Sequence, residues 1–348
     1  MSKLQKSVIN YQEKLSLVNL NVSSCLLIYD EKLKNFPDVR KIIKKFPLRY
    51  AVKGGETLKD LKKFPDHVEK ILKILQNHNQ KDFKIFGLGG GTIGDFAGFF
   101  ASVFKRGTKL VLIPSTWLAA LDSSHGGKNG LNAVEVKNQI GTFYNPETIY
   151  IVRNILKHQP PELMADAAGE LFKMALIEGQ SLWRQVGSLQ ALDEKTMWKI
   201  LPLAIKAKYR IVQEDPFEEK GYRQILNFGH TLGHVIEAKL GISHGKAVGQ
   251  GLAFATEWGH QLGFLGPQQY KGISQSPFYG DFYSGLQESL KKLTLKEIDA
   301  TLMMDKKKNK KDDLYFIFPV RPGLCIRQNV KIKNVVQAFA SLKKTILS

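Results

Sequence analysis

Cysteine is almost absent from this 348-residue chain: Cys25 and Cys325 are the only two, and their distance in sequence leaves no CxxC pair and no disulfide framework. Both are expected to pack as small buried hydrophobes. No stretch approaches the roughly eighteen consecutive apolar residues that a membrane-spanning helix needs. The opening MSKLQKSVINYQEKL mixes charge throughout and lacks an apolar core with a cleavage site, so a secretory leader is not expected and a cytoplasmic setting is. Internal repeats and low-complexity linkers are missing too. Acidic residues are scarce, 32 Asp and Glu against 51 Lys and Arg, for a net charge of +19. That excess invites a nucleic-acid partner, but the lysines are scattered over the whole chain and no nucleic-acid motif accompanies them. Anionic small molecules are the better match, with neither nucleic acid nor a membrane expected. The densest run, DKKKNKKDD, reads as a solvated turn between two elements.

What is present is a folded composition, 43% hydrophobic and 24% charged, at a length that suits two domains. The first part alternates β-rich runs with helical stretches, as an α/β domain with a mostly parallel sheet does. Its strand candidates are CLLIYD (25–30), RYAVKG (49–54), FKIFGL (83–88), KLVLIP (109–114) and TIYIV (148–152). Between the second and third, Val68, Ile71, Leu72 and Leu75 recur at helical spacing, the mark of a crossover helix. From QPPELMADAAGELFKMALIEG onward helical patterns dominate; Pro160 and Pro161 suit a helix start and Gly179 its end. We therefore expect an α/β domain over residues 1–158 and a mainly helical domain over 159–348, with LYFIFPV (314–320) as a late antiparallel strand.

Three constellations could carry chemistry. GLGGGTIGDFAGFF follows a strand and opens a helix, and Gly89, Gly91 and Gly94 satisfy GxGxxG, in which amides without a Cβ in the way can approach a pyrophosphate. The acidic residue usual some twenty positions later is missing, so a tight turn with packing glycines remains the alternative. Residues 115–146 form a long stretch of small and polar residues that places Asp122, Lys128, Lys137 and Asn138 among glycines. Connections of that length are usually functional, a surface excursion being the bland reading. Third, LNFGHTLGHVIEAKLGISHGK holds three of the chain's eight histidines: His230 and His234 share a helical face, and His244 lies just past Gly241, where that helix is expected to end. HxxxH alone suits a polar patch or a donor pair as well as a metal, and HTLGH lacks the glutamate of HExxH zinc proteases. A catalytic metal usually takes three protein ligands, so a carboxylate is needed from elsewhere. Glu170 is the candidate, set in the small-residue run ADAAGE with Lys173 one turn on. Upstream, Lys208, Arg223 and Asn227 read singly as solvated residues; Arg223 precedes His230 by two helical turns if the helix begins that early.

Together these stretches resemble the dehydroquinate synthase family of sugar-phosphate cyclases. GGGTIGDFAGF, KRGTKLVLIPSTWLAALDSSHGGKNGLN, KNQIGTFYNP, AGELFKMALI, RQILNFGHTLGH, HGKAV and MMDKK occur in the family's order and approximate spacing. The resemblance implies an NAD-binding α/β domain, a helical metal- and substrate-binding domain, an active site in the cleft, and a homodimer. It assigns zinc, or a similar divalent metal such as cobalt, to Glu170, His230 and His244. Lys128 and Arg223, with Lys208 and Asn227 beside them, match the residues that hold the substrate carboxylate; Asn138, His234 and Lys306 match the phosphate pocket. Arg106 matches an arginine that reaches the neighbouring subunit's site, and Asp122, Lys137 and Lys173 fall on further active-site positions. For NAD, Gly89, Gly90, Gly91 and Asp95 match the pyrophosphate loop, Glu56 and Lys59 the ribose-side pair, and Ser115 and Thr116 further contacts, with Asp30, Lys128 and Lys137 also on the cofactor side. The implied reaction turns 3-deoxy-D-arabino-heptulosonate 7-phosphate into 3-dehydroquinate and phosphate, with NAD regenerated at each turnover.

The chain departs from the family pattern at Asn129, where Thr is usual, at Lys246, where Glu is usual, at His158, where Thr is usual, and at Lys32, where Asn is usual. Lys246 puts tuning of the metal ligands in question, and Lys32 the adenosine contact. Sister cyclases that make 2-deoxy-scyllo-inosose or valiolone-type rings act on sugar phosphates without a carboxylate, so retention of Lys128, Arg223 and Asn227 favours the carboxylate-bearing substrate. Metal-dependent alcohol or glycerol dehydrogenases share the two-domain layout but need no double anion pocket.

Overall fold

The run CLLIYD is apolar on both sides of its backbone, and Leu26, Leu27 and Ile28 are fully buried, as a parallel strand covered on both faces requires. The structure is a computed structural model and describes residues 6–17, 21–76, 83–134, 136–304 and 313–347. Ten strands are described: β1 (Val8–Gln12), β2 (Cys25–Asp30), β3 (Leu48–Val52), β4 (Lys84–Gly89), β5 (Lys109–Pro114), β6 (Lys128–Ala133), β7 (Val136–Phe143), β8 (Thr148–Val152), β9 (Asp313–Arg321) and β10 (Leu324–Lys331). The chain divides into two compact units, residues 1–163 and 164–348.

The first unit is built on a six-stranded sheet in the order β1-β8-β5-β4-β2-β3, every neighbouring pair parallel. Its helices are α1 (Pro37–Lys44), α2 (Phe64–Leu75), α3 (Gly91–Val103) and the short α4 (Arg153–Leu156). The crossover helix α2 holds Val68, Ile71, Leu72 and Leu75 as expected; Glu56–Lys59 ahead of it forms a separate 3-10 turn, and Pro65 sits in the first helical turn. Edge strand β1, VINYQ, escaped the sequence reading: it is largely exposed and alternates too weakly to announce itself. Residues 115–146 are not a loop. They hold a π-helical turn (Ala119–Ser123) and the antiparallel hairpin β6–β7. Strand β7 is exposed almost throughout, so it carries no apolar alternation to read.

The second unit comprises α5 (Pro161–Glu178), α6 (Gln180–Val186), α7 (Glu194–Glu214), α8 (His230–Leu240), α9 (His244–Gln261), α10 (Pro267–Ser274), α11 (Pro277–Lys292), α12 (Leu295–Met304) and α13 (Ile332–Leu347), with the hairpin β9–β10. Helix α5 starts at Pro161 and stops before Gly179, and β9 is antiparallel, both as the sequence suggests. Trp258 on α9 packs between Phe316 and Phe318 of β9, at ring distances of 4.9 and 5.0 Å. Cys25 is buried and Cys325 half-buried rather than buried; both are free, with burial pushing the thiols up to about 11 and about 12. Among the described residues, no helix is long and apolar enough to cross a membrane.

Helices α5 and α8 lie against α9 closer than side chains allow. A Cβ at Gly245 would strike the carbonyl of Asp166, one at Gly169 the carbonyl of Gly245, and one at Gly251 the carbonyl of Gly229. These obstacles are backbone atoms, which cannot rotate away. Gly245→Ala is therefore expected to cost roughly 3 kcal/mol or more, by the overpacking range for well-packed cores. Gly280→Ala, at an exposed position of α11 with nothing within 4 Å of the new Cβ, is expected to be neutral or to stabilise by up to about 1 kcal/mol. Chemical denaturation of the two variants checks both, and equal effects would discard the close-contact account.

Candidate active site

The close approach of α5, α8 and α9 converges on Glu170, whose side chain is fully buried. Nε2 of His230, the first residue of α8, and Nε2 of His244, the first residue of α9, each lie 3.4 Å from Glu170 Oε1. One ligand atom from each of the three residues falls within 4.8 Å of the others. His230 Nδ1 lies 3.1 Å from the carbonyl of Phe228, and His244 Nδ1 lies 3.0 Å from Glu237 Oε2. Both partners only accept, so each Nδ1 donates, and in the neutral imidazole that leaves Nε2 with the lone pair that faces the shared centre. Lys173 Nζ lies 2.5 Å from Glu170 Oε2 and donates to the carbonyl of Leu226 at 2.9 Å, yet neither carboxylate oxygen receives a well-directed hydrogen bond.

Burial pushes the Glu170 carboxyl up, but the Lys173 charge and the His244 imidazole outweigh it and hold the group below its ordinary range, an anion. For His244, burial disfavours the cation while the carboxylates of Glu170 and Glu237 overcome that and raise its pKa. The same carboxylates that favour a proton here would favour a divalent cation in its place. Two imidazole nitrogens and one under-satisfied carboxylate oxygen form a donor set that fits zinc, cobalt or another divalent ion, with room left for an outside ligand.

Of the other polar residues named in the sequence for this unit, His234 lies beside the ligand imidazoles. His234 stacks edge-on to His230 at 5.3 Å between ring centroids and lies 6.3 Å from the His244 ring. Arg223 and Asn227 do not lie on the helix of the histidines. They bracket a 3-10 turn (Arg223–Asn227), and Gly229, with φ of 79°, separates that turn from α8. Arg223, Lys208 on α7 and Lys173 are all buried cations rather than solvated ones. Lys306 lies outside the described residues.

In the first unit, β4 ends at Gly89 and α3 begins at Gly91, so Gly89, Gly90 and Gly91 form the turn at the helix N-terminus. Lys59 Nζ lies 2.5 Å from Asp95 Oδ2 and 2.5 Å from Asn138 Oδ1, joining three of the named residues. Burial pushes the Asp95 carboxyl up to about 6 against the pull of Lys59. Asn138 holds φ of 51° and its backbone amide donates to Asn132 Oδ1, and Asn132 in turn donates to Glu56 Oε2 at 2.8 Å. Ser115 is buried, and Thr116 Oγ1 caps the Ala119 amide at 3.2 Å. Lys128, Lys137 and Arg106 are exposed and Asp122 is half-buried. Asp30 caps the following 3-10 turn through the amide of Lys32.

Three of the four departures can be placed in their surroundings. Asn129 donates to the carbonyls of Gly127 and Tyr144 at 2.9 and 3.0 Å, tying the two ends of the hairpin. His158 bonds Asp38 at 2.9 Å and stacks on Phe36 at 4.2 Å. Lys246 is exposed, and the carboxylate beside His244 is Glu237 instead. Sequence reasoning missed Glu237, although it lies seven residues after His230 and three after His234, on their face of α8.

A solved 2-deoxy-scyllo-inosose synthase, complexed with carbaglucose-6-phosphate, NAD+ and Co2+, superposes with a TM-score of 0.80 at 22% identity over 96% of each chain. The 2-epi-5-epi-valiolone synthase of Streptomyces hygroscopicus, with NAD+ and Zn2+ bound, superposes at 0.82 with 20% identity over 99% of each. The fold is thus that of the carbocycle-forming cyclases. More particularly, 3-dehydroquinate synthase N-terminal matches residues 49–166 and 3-dehydroquinate synthase C-terminal residues 167–308, and a 3-dehydroquinate synthase of Saccharolobus solfataricus is 33% identical over 95% of this chain and 94% of its own. The chain belongs to the 3-dehydroquinate synthase family.

Glu237→Gln keeps the shape beside His244 but removes the anion that holds its Nδ1 proton. Zinc affinity, measured by competition with a chromogenic chelator, is expected to fall roughly 10- to 100-fold, and His230→Ala is expected to lose more. Unaltered affinity in Glu237→Gln would remove that residue from the site.

Proposed function

We propose that the chain is a 3-dehydroquinate synthase, converting 3-deoxy-D-arabino-heptulosonate 7-phosphate into 3-dehydroquinate and phosphate in the shikimate route to aromatic amino acids. Beyond family membership, the observation that carries this reading is the cluster of Glu170, His230 and His244 with Lys173 against Glu170, in a unit that also buries the cations Lys208 and Arg223. Glu170, His230 and His244 would hold the divalent metal, zinc or cobalt; Gly89, Gly90, Gly91, Asp95, Glu56, Lys59, Ser115, Thr116 and Asp30 would hold NAD, with Lys128 and Lys137 beside it. When bound, these groups supply reversible oxidation of one substrate hydroxyl and polarisation of its oxygen, which acidifies the neighbouring C–H so that phosphate can leave.

The chain's own residues bind and orient. Arg223 and Lys128, with Lys208 and Asn227 beside them, take the carboxylate, which a guanidinium meets with parallel N–H donors. Asn138, His234 and Lys306 hold the phosphate, donating to oxygens that gain charge as it departs. Lys173 keeps Glu170 ionised, and the Phe228 carbonyl and Glu237 keep the ligand imidazoles in the tautomer that offers Nε2. Asp122 and Lys137 complete the site, and Arg106 reaches across a homodimer to the partner's substrate. Fixing both anionic ends of a flexible seven-carbon chain brings the reacting atoms together without further ordering at the moment of reaction. The setting we propose is the cytoplasm.

Phosphate release from 3-deoxy-D-arabino-heptulosonate 7-phosphate, with NAD+ and zinc supplied, is expected to be catalytic, to leave absorbance at 340 nm flat, and to stop on chelation. Turnover of glucose 6-phosphate or sedoheptulose 7-phosphate instead would transfer the protein to a sister cyclase. Arg223→Ala is expected to lower kcat/KM by about 2–5 kcal/mol, the cost of leaving a buried charge unpaired; an unchanged value would dismiss the carboxylate assignment.

A further inference from the structure

Helix α7 stops at Glu214, and the next residue, Asp215, is only 1% exposed although it stands at the head of a polar loop. Its carboxylate turns into that loop and is wrapped by it. Oδ1 accepts from the Lys220 amide at 3.0 Å and Oδ2 from the Arg223 amide at 3.1 Å. Glu218 and Gly221, with φ of 60° and 76°, supply the left-handed turns that let the amides converge on one anion. Burial pushes this carboxyl up, but the amides of Lys220, Arg223, Glu219 and Tyr222 outweigh it and keep the group charged.

Arg223 is held at both ends by this arrangement. Its amide donates to Asp215, and its Nη1 donates to the carbonyl of Pro216 at 2.7 Å, inside the same loop. From the other side Arg327 of β10, stacked over Tyr315 at 4.4 Å, donates to the carbonyl of Gly221 at 3.0 Å and to Gln224 Oε1 at 2.9 Å. A Cβ at Gly221 would displace the Arg327 guanidinium, and the φ of 76° itself disfavours a side chain there. Beyond Arg223, the 3-10 turn delivers the Leu226 carbonyl to Lys173 and then opens into α8 at His230.

We infer that Asp215 is a positioning residue for Arg223: the loop folded around its buried carboxylate, clamped from outside by Arg327, sets the placement of the guanidinium that receives the substrate carboxylate. The hydrogen bonds of Asp215 go to amides of its own loop. The inference rests on the carboxylate-binding reading of Arg223, and the tests separate the two. Asp215→Asn preserves volume but turns one acceptor into a donor facing amide N–H groups.

In the zinc- and NAD-loaded enzyme, Asp215→Asn is expected to raise KM for 3-deoxy-D-arabino-heptulosonate 7-phosphate roughly tenfold or more, with kcat within about threefold and zinc affinity within about twofold. Introduced into Arg223→Ala, the same change is expected to add nothing to KM, because its effect runs through the missing guanidinium. Arg327→Ala, an exposed clamp, is expected to shift KM in the same direction by a few-fold, and it decides the matter if Asp215→Asn does not fold. A folded Asp215→Asn, or otherwise Arg327→Ala, with wild-type KM overturns the inference. So does a KM rise matched by an equal loss of zinc affinity, which would mean general loosening. If Arg223→Ala itself leaves KM unchanged, the carboxylate reading fails and the positioning role falls with it; if Arg223→Ala raises KM and Asp215→Asn does not, only the positioning role fails.

Discussion

Everything at the candidate metal centre depends on helices α5 and α8 touching α9 backbone to backbone. Glycine at 169, 245 and 251 removes the layer of side chains that ordinarily holds helices 8–10 Å apart. Only at this separation do a short glutamate from α5 and two histidines at the starts of α8 and α9 reach one point. The histidines gain from standing at helix beginnings, where the chain has just turned and the carbonyl of Phe228 is free to take an imidazole proton. Packing and chemistry are therefore one constraint: the glycines that make the contact also set the geometry of the ligands.

That contact brings a charge into the dry interior of a helical unit, and an isolated carboxylate there would protonate. Lys173 prevents this from one turn along the same helix, and the imidazoles contribute from the other side. The carboxylate stays ionised but lacks well-directed hydrogen bonds, and a group in that state retains its capacity to bind a cation. Asp215 is the contrasting case. Its loop supplies amide donors to both oxygens, so its charge is spent on shaping backbone rather than on holding a ligand.

Two of the departures from the family pattern, Asn129 and His158, are engaged by neighbours. Lys246 points to solvent while Glu237, from the preceding helix, provides the carboxylate beside His244. Asn129 uses its amide to tie the hairpin ends. His158 is engaged by Asp38 and Phe36, which joins the residues after β8 to the start of α1.

Much was legible in the sequence because it is local. Apolar or β-rich runs marked five of the six strands of the parallel sheet, most plainly the central ones, since strands buried on both faces have no polar side to interrupt them. Pro161 and Gly179 marked the ends of α5, and the glycine turn after β4 announced a helix N-terminus open to an anion. The ordered motifs pointed to Glu170, His230 and His244 as a ligand set. What the tertiary structure alone decided was how distant segments meet. The hairpin β6–β7 was invisible because an exposed strand has no apolar period, and α8 begins at His230 rather than near Arg223 because Gly229 breaks the chain direction there. Periodicity reports which face of one element is buried. It cannot report the distance between two elements, which here is set by backbone contacts at glycines and by buried charges that find their partners only once the chain has folded.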